Sequence, residues 1–264
     1  MKKMRVRKSH NPDNLVPLRV MKNLGTVFTK LLLTLFSSIL SGGAVPTAFK
    51  RANVMPLYKG KGSKLMSNNY RPISLLNDYC KLFEMFLSER IKARVRDKLC
   101  DKQHAYRENR SCNTALRVFT NFIYDEIDKP RTKVGAIFID FTKAFDSISH
   151  SKLINKLNNE FELEPYLVRI LQDNMSGRVF SINNLGNRLY TMERGICQGS
   201  ANGPLTFSLY INDIRKIITA AYLLYADDIV IYASGDNFKD IKDTLVADLE
   251  RIQQWCSDNS MSIN

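Results

Sequence analysis

Two short apolar runs, Leu223-Leu224-Tyr225 and Ile229-Val230-Ile231-Tyr232, are separated only by Ala226-Asp227-Asp228. Runs this short and this close predict a tight antiparallel hairpin with adjacent carboxylates at its tip. Side by side, the two carboxylates repel and raise each other's pKa. A surface turn tolerates that, because Asp is a common turn residue. A divalent cation held between buried strands accounts for the pair as well. A third carboxylate, Asp140, ends a separate apolar run, Val134-Gly135-Ala136-Ile137-Phe138-Ile139. Buried there unpaired it would be costly. Alone it reads equally as a helix N-cap or a metal ligand. With the hairpin it completes the set for two Mg²⁺ ions, which in such sites stand roughly 3.5–4 Å apart and clamp the attacking and leaving oxygens of a displacement.

Composition excludes several classes. At 44% hydrophobic and 25% charged residues, the 264-residue chain has enough apolar side chain to offset ordering entropy, so it is not disordered. The net charge of +13 is uneven: residues 1–133 carry +17 and residues 134–264 carry −4. The basic half either attracts a polyanion or is a solvated surface. Cysteines at 80, 100, 112, 197 and 256 are odd in number and lack metal-ligand spacing. That predicts reduced thiols in an intracellular protein, nuclear or cytoplasmic, with neither a disulfide framework nor a zinc site. Leu31 to Phe49 is uncharged over 19 positions, enough to span a bilayer. It is interrupted by Thr34, Ser37, Ser38, Ser41, Gly42, Gly43 and Pro46, so it predicts a buried helix stopping at Gly42-Gly43, not a membrane span.

Periodicity and turn residues lay out the rest. Residues 1–23 read as a basic flexible leader containing Pro12 and Pro17. Helices are expected over 24–41, 78–98, 111–128, 149–160, 163–175, 203–219 and 238–258. Strands are expected over 52–58, 134–139, 221–225 and 229–233, with a hairpin joining 179–183 to 188–194. The remainder of 42–72 reads as loop, including the basic turn Lys59-Gly60-Lys61-Gly62.

Several blocks, in order, resemble the reverse transcriptase of non-LTR retrotransposons of the LINE or jockey-like type. They are Val54-Met55-Pro56-Leu57-Tyr58-Lys59, Asn69-Tyr70-Arg71-Pro72-Ile73-Ser74-Leu75-Leu76, Ala136 through Asp146, Gln198-Gly199-Ser200 with Gly203-Pro204-Leu205, Tyr210-Ile211-Asn212-Asp213-Ile214, and Tyr225-Ala226-Asp227-Asp228. The resemblance covers roughly residues 24–264. It implies an α+β right-hand polymerase, with fingers and an antiparallel palm sheet packed on helices. An N-terminal helix and fingers would occupy 24–133. The palm would occupy 134–264, with about 150–197 shared with the fingers, and the thumb absent. The implied reaction is RNA-directed DNA synthesis on an RNA template, from a DNA primer and deoxynucleoside triphosphates.

Roles follow by resemblance. Asp140 and Asp227 would be the principal ligands of two Mg²⁺ ions, with Mn²⁺ as the alternative. Asp228 would be the third carboxylate, and the Phe141 carbonyl a backbone ligand. Phe145 would be the steric gate against a 2′-hydroxyl, or else a core phenylalanine. Arg71 would pair with the triphosphate, since guanidinium suits bidentate phosphate recognition. Lys59 or Lys61 would add a charge there, or face solvent. Gln198 and Gly199 would wall the nucleotide pocket. The block Gln103-His104-Ala105-Tyr106-Arg107 would contact template, with Arg107 and Arg110 on phosphates or as plain surface charges. Asp146 would cap a helix beginning near Ile148.

Three positions depart from the family pattern: Cys197 in place of Pro, Asn202 in place of a large apolar residue, and Ala105 in place of Gly. The family's lysine-bearing motif and thumb would follow Asn264, and an endonuclease would precede residue 1. The chain therefore reads as a piece of a larger element protein or a truncated copy. The alternative function is a catalytically impaired relic that only binds RNA.

Overall fold

Strand pairing organises the chain into two sheets. The structure is a computed structural model describing residues 20, 23–183, 185 and 188–264. Apart from residues 20 and 23, the expected leader lies outside the described residues. In chain order the elements are α1 (Gly25–Leu40), β1 (Arg51–Tyr58), β2 (Tyr70–Leu76), α2 (Asp78–Val95), α3 (Cys112–Ile127), β3 (Lys133–Asp140), α4 (Ala144–Ser147), α5 (His150–Asn159), α6 (Pro165–Met175), β4 (Arg178–Ile182), β5 (Tyr190–Met192), α7 (Gly203–Tyr210), β6 (Ala221–Tyr225), β7 (Asp228–Gly235) and α8 (Phe238–Asp258). Short 3₁₀ turns stand at Thr47–Lys50, Ser67–Asn69 and Asn212–Lys216. The architecture is α+β.

Two units divide the chain discontinuously. The first joins the described part of Met1–Val95 to Ile154–Gly203, and the second joins Arg96–Leu153 to Pro204–Asn264. Residues 96–133, grouped by sequence with the N-terminal part, thus fall in the second unit.

The first unit is built on a sheet of order β2-β1-β4-β5, with β1 antiparallel to β2 and parallel to β4. α1 turns one stripe inward through Phe28, Leu32, Phe36 and Ile39. Phe36 meets Phe83 of α2 edge-on, with centroids 5.2 Å apart. The helix stops as expected: Gly42 takes φ +114°, Gly42 N–H bonds to Ile39 and Gly43 N–H to Ser38. This is a Schellman end, in which glycine takes the left-handed position. No helix among the described residues is long and apolar enough to cross a membrane.

The sequence predicts no strand at β2, whose first three residues fall in the expected loop of 42–72. The strand forms the edge of the sheet, where proline is tolerated. Pro72 faces Pro56 of β1 directly, so the two residues lacking an N–H share one position of the ladder.

The second unit holds an antiparallel sheet of order β3-β7-β6. α8 packs against β3 and β7, with Ile241 so close to Gly135 that a Cβ there would lie 2.7 Å from it. On the α3 side, Phe119 and Phe122 approach Tyr232 edge-on at 5.1 and 4.7 Å. The helix expected over 203–219 breaks after Tyr210. There Asn212 is buried, accepting from Cys100 N–H at 2.7 Å and donating to the Lys98 carbonyl at 3.1 Å. Asp146 lies inside α4; Ser149, not Asp146, stands ahead of α5, with its hydroxyl 3.5 Å from Lys152 N–H.

Candidate active site

Strand register brings the three carboxylates together. Asp140, the last residue of β3, is directly opposite Asp228, the first of β7. Asp228 also pairs with Tyr225 at the end of β6, which leaves Ala226 and Asp227 as a two-residue turn. Ala226 has φ +55°, a value disfavoured for a side-chain-bearing residue. Gln103 clamps that turn. Its Oε1 accepts from Ala226 N–H at 3.1 Å and Ala105 N–H at 2.9 Å, and its Nε2 donates to the Ala226 carbonyl at 3.4 Å. Its backbone lies beside β6, with His104 N–H bonded to the Leu224 carbonyl and Leu224 N–H to that of Lys102. The side chain placed by sequence in a template-contacting block is therefore buried and committed to the carboxylate turn.

Burial raises the Asp228 carboxyl above its ordinary pKa, and the negative neighbours Asp227 and Asp140 raise it further. Partial withdrawal from water and like charges beside it both disfavour its ionised form. Phe141 bridges Ile263, and the bonds of this bridge flank it: Thr142 N–H reaches the Ser262 carbonyl, and Asn264 N–H the Asp140 carbonyl. Neither bond occupies the Phe141 carbonyl. The Asn264 amide also donates to Asp140 Oδ2 at 3.3 Å. Among the described residues, no three acidic, His or Cys side chains form a ready-made ion cage. The donor set of hard carboxylate and carbonyl oxygens still fits Mg²⁺, which takes one or two carboxylates and fills its octahedron with water and substrate phosphate.

Phe145 is half-buried, with its ring stacked on buried Phe207 at 4.8 Å and 18°. Burial raises the Tyr106 hydroxyl, and Asp227 and Tyr225 raise it further, which places this exposed ring beside the carboxylate turn. Arg107 donates to the Leu99 and Cys100 carbonyls at 3.2 and 2.5 Å, and Arg110 donates to that of Asp101. Both guanidiniums thus brace the segment after α2.

The first unit gathers the other sequence-derived candidates. Arg71 is exposed on β2, opposite Leu57. Lys59 and Lys61 are exposed in the loop joining β1 to β2, where Lys59 Nζ holds the Asn68 carbonyl at 2.8 Å. Three residues beyond Arg71, Ser74 N–H donates to the Gln198 carbonyl at 2.7 Å. Gly199 has φ +121°, and a Cβ there would stand 2.6 Å from the Ser74 carbonyl oxygen. Only glycine lets the Gln198-Gly199 turn dock on β2. Sequence reasoning missed Glu84, which lies on α2 fully buried. It accepts from Arg178 at 3.1 Å, Ser200 Oγ at 2.8 Å and Ala201 N–H at 2.7 Å. An acidic residue inside the apolar face of a predicted helix was the available signal. Two departures from the family pattern join this network. Cys197 Sγ lies 3.4 Å from Arg178, and the buried Asn202 Oδ1 lies 2.7 Å from Ser200 Oγ.

Comparison with known proteins places the chain in a family. The family described as reverse transcriptase (RNA-dependent DNA polymerase) matches residues 59–264. The RNA-directed DNA polymerase from mobile element jockey of Drosophila funebris is 27% identical over 96% of this chain and 28% of its own length. A probable RNA-directed DNA polymerase from transposon BS of Drosophila melanogaster is 27% identical over 100% of this chain and 30% of its own. The chain spans less than a third of the length of either relative. In fold it is similar to an apo telomerase from Candida tropicalis truncated from its C-terminal domain. That likeness has TM-score 0.59 and 14% identity, covering 90% of this chain and 54% of the other. Matched over most of its length, the chain belongs to the reverse transcriptase family, with jockey and other non-LTR retrotransposon polymerases among its relatives.

Proposed function

We propose that this chain is the polymerase portion of a larger retrotransposon protein and makes DNA on an RNA template. The observation that carries the reading is the pairing of Asp140 with Asp228 beside the clamped Asp227 turn, in a chain of this family. The first unit is the fingers and the second the palm. The reaction joins a primer 3′-oxygen to the α-phosphorus of a deoxynucleoside triphosphate and releases pyrophosphate. Asp140, Asp227 and Asp228, with the Phe141 carbonyl, would hold two Mg²⁺ ions, or Mn²⁺ in their place. Bound there, such ions lower the pKa of the primer hydroxyl and neutralise charge developing on the phosphate.

The chain's own residues do the rest. Phe145, backed by Phe207, excludes a 2′-hydroxyl by bulk. Arg71, with Lys59 and Lys61, binds triphosphate, and Gln198 and Gly199 wall the nucleotide. A guanidinium has five N–H donors, so Arg107 and Arg110 retain donors for template phosphate beyond those braced on carbonyls. Five free thiols suit an intracellular setting.

Primer extension on poly(rA)/oligo(dT) with Mg²⁺ tests the reading. The chain should incorporate dTTP, and Asp227→Ala should reduce incorporation by at least about 100-fold. Incorporation that survives Asp227→Ala, or a silent wild-type chain, overturns it.

A further inference from the structure

We infer that Glu84 is a positioning residue for nucleotide binding, holding the Gln198-Gly199 turn through Ser200 and Ala201. The inference rests on the polymerase reading, because that reading makes the turn a nucleotide wall.

Glu84 is fully buried on α2, and no role named so far uses it. A buried carboxylate persists only when donors surround it. Here Oε1 faces Arg178 at 3.1 Å and Asn174 at 3.5 Å. Oε2 faces Ser200 Oγ at 2.8 Å and Ala201 N–H at 2.7 Å. Arg178 is itself buried and anchored on Asn174, through its carbonyl at 2.6 Å and its side-chain oxygen at 3.0 Å. The pair therefore has one rigid side, made of α6 and the start of β4, and one side that grips a turn.

Two of the contacts on that turn set its place. Ser74 N–H fixes the Gln198 carbonyl from β2, and the Ser74 carbonyl leaves no room for a side chain at Gly199. Glu84 fixes the two residues that follow. Between these holds, Gln198 and Gly199 have one available height above β2, the strand that carries Arg71. Loss of the Glu84 hold frees the turn on one side only. The fold of the first unit keeps Arg178 against Asn174, and the nucleotide wall loses its register.

Ser200→Ala tests this with the Arg178 pair left in place: it removes one donor to Glu84, together with the Ser200 contacts to Asn202 Oδ1 and Gly203 N–H. Glu84→Gln is the stronger variant. Both are compared with wild type in steady-state extension on poly(rA)/oligo(dT), with amide exchange read over residues 198–203. The expected result is a KM for dTTP raised about tenfold by Glu84→Gln and less by Ser200→Ala. Exchange over 198–203 should accelerate in both, with kcat within about twofold of wild type. Asp248→Asn, which loosens a buried carboxylate in the second unit, serves as the stability control and should lower Tm without moving KM. An unchanged KM in folded, active Ser200→Ala overturns the inference, as does a raised KM without faster exchange in the turn. If Glu84→Gln fails to fold, Ser200→Ala alone decides. A silent wild-type chain is a different failure: it removes the polymerase reading, and the inference with it.

Discussion

Asp228 sits where stability and chemistry oppose each other. Asp227 and Asp140 crowd it, and burial and those charges together raise its pKa. Without a cation the folded state must hold three negative groups near one strand end. Asp228→Asn should therefore raise the melting temperature in EDTA by about 1–2 °C, a small gain because the carboxyl is only partly withdrawn from water and its repulsions are screened. Added Mg²⁺ should stabilise wild type more than the variant, and the variant should lose primer extension. A melting temperature lowered in EDTA would show that the carboxylate is held by favourable contacts instead. At this scale the carboxylates were legible in the sequence, because a charged residue ending an apolar strand is conspicuous. The Gln103 clamp was not. Glutamine in a polar stretch looks like any loop residue, and its partner Ala226 stands 123 positions away. The guanidiniums of Arg107 and Arg110 were hidden likewise, since only folding shows which carbonyls a long side chain meets.

Elements were read well where one face repeats and poorly where a special contact decides. α8 was placed over 238–258 from its stripe, and it buries Ile241, Leu245, Ile252 and Trp255 as that stripe implies. β2 was lost to its proline and polar residues, which an edge position tolerates. Asp248 shows how one carboxylate ties elements together. From within α8 it accepts from Ala220 N–H at 2.7 Å, from Thr219 N–H and hydroxyl, and from Arg251, and so fixes the entry to β6. Burial alone would raise its pKa; these donors more than offset that and hold it below the ordinary 3.8. A carboxyl with a depressed folded pKa stabilises the fold above its unfolded pKa and loses that contribution as pH falls through the folded value. Asp248→Asn should therefore cost about 1–3 kcal/mol at pH 7, because the new amide turns a donor toward donors. Denaturant melts at pH 7 and below pH 4 check the sign: the gap between variant and wild type should narrow in acid. A gap independent of pH would assign the loss to packing.

The whole molecule returns on itself. Residues 154–203 rejoin the first unit through Glu164 on Arg94, Arg169 on the Ile39 carbonyl, and Asp173 on Lys50 at 2.5 Å and Val45 N–H at 2.6 Å. Linear charge counting saw a basic half and an acidic half but not this return, because the contacts join residues more than 65 positions apart. Counted by unit, the described residues carry +8 in the first and −1 in the second. The basic excess therefore belongs to one unit and the strand-end carboxylates to the other, as expected if binding a polyanion and transferring a nucleotide are separate tasks of one chain. They should separate experimentally. Affinity for a poly(rA)/oligo(dT) hybrid should fall linearly on a log–log plot against KCl. A footprint of about six phosphates would lose roughly 10³-fold between 50 and 200 mM. Asp227→Ala should bind with wild-type slope while failing to extend, because on the polymerase reading it removes a metal ligand and no phosphate contact. A shallow slope would make the basic unit an ordinary solvated surface. A steep slope in a wild-type chain that never extends would instead identify the RNA-binding relic, since charge alone would then account for everything the chain does.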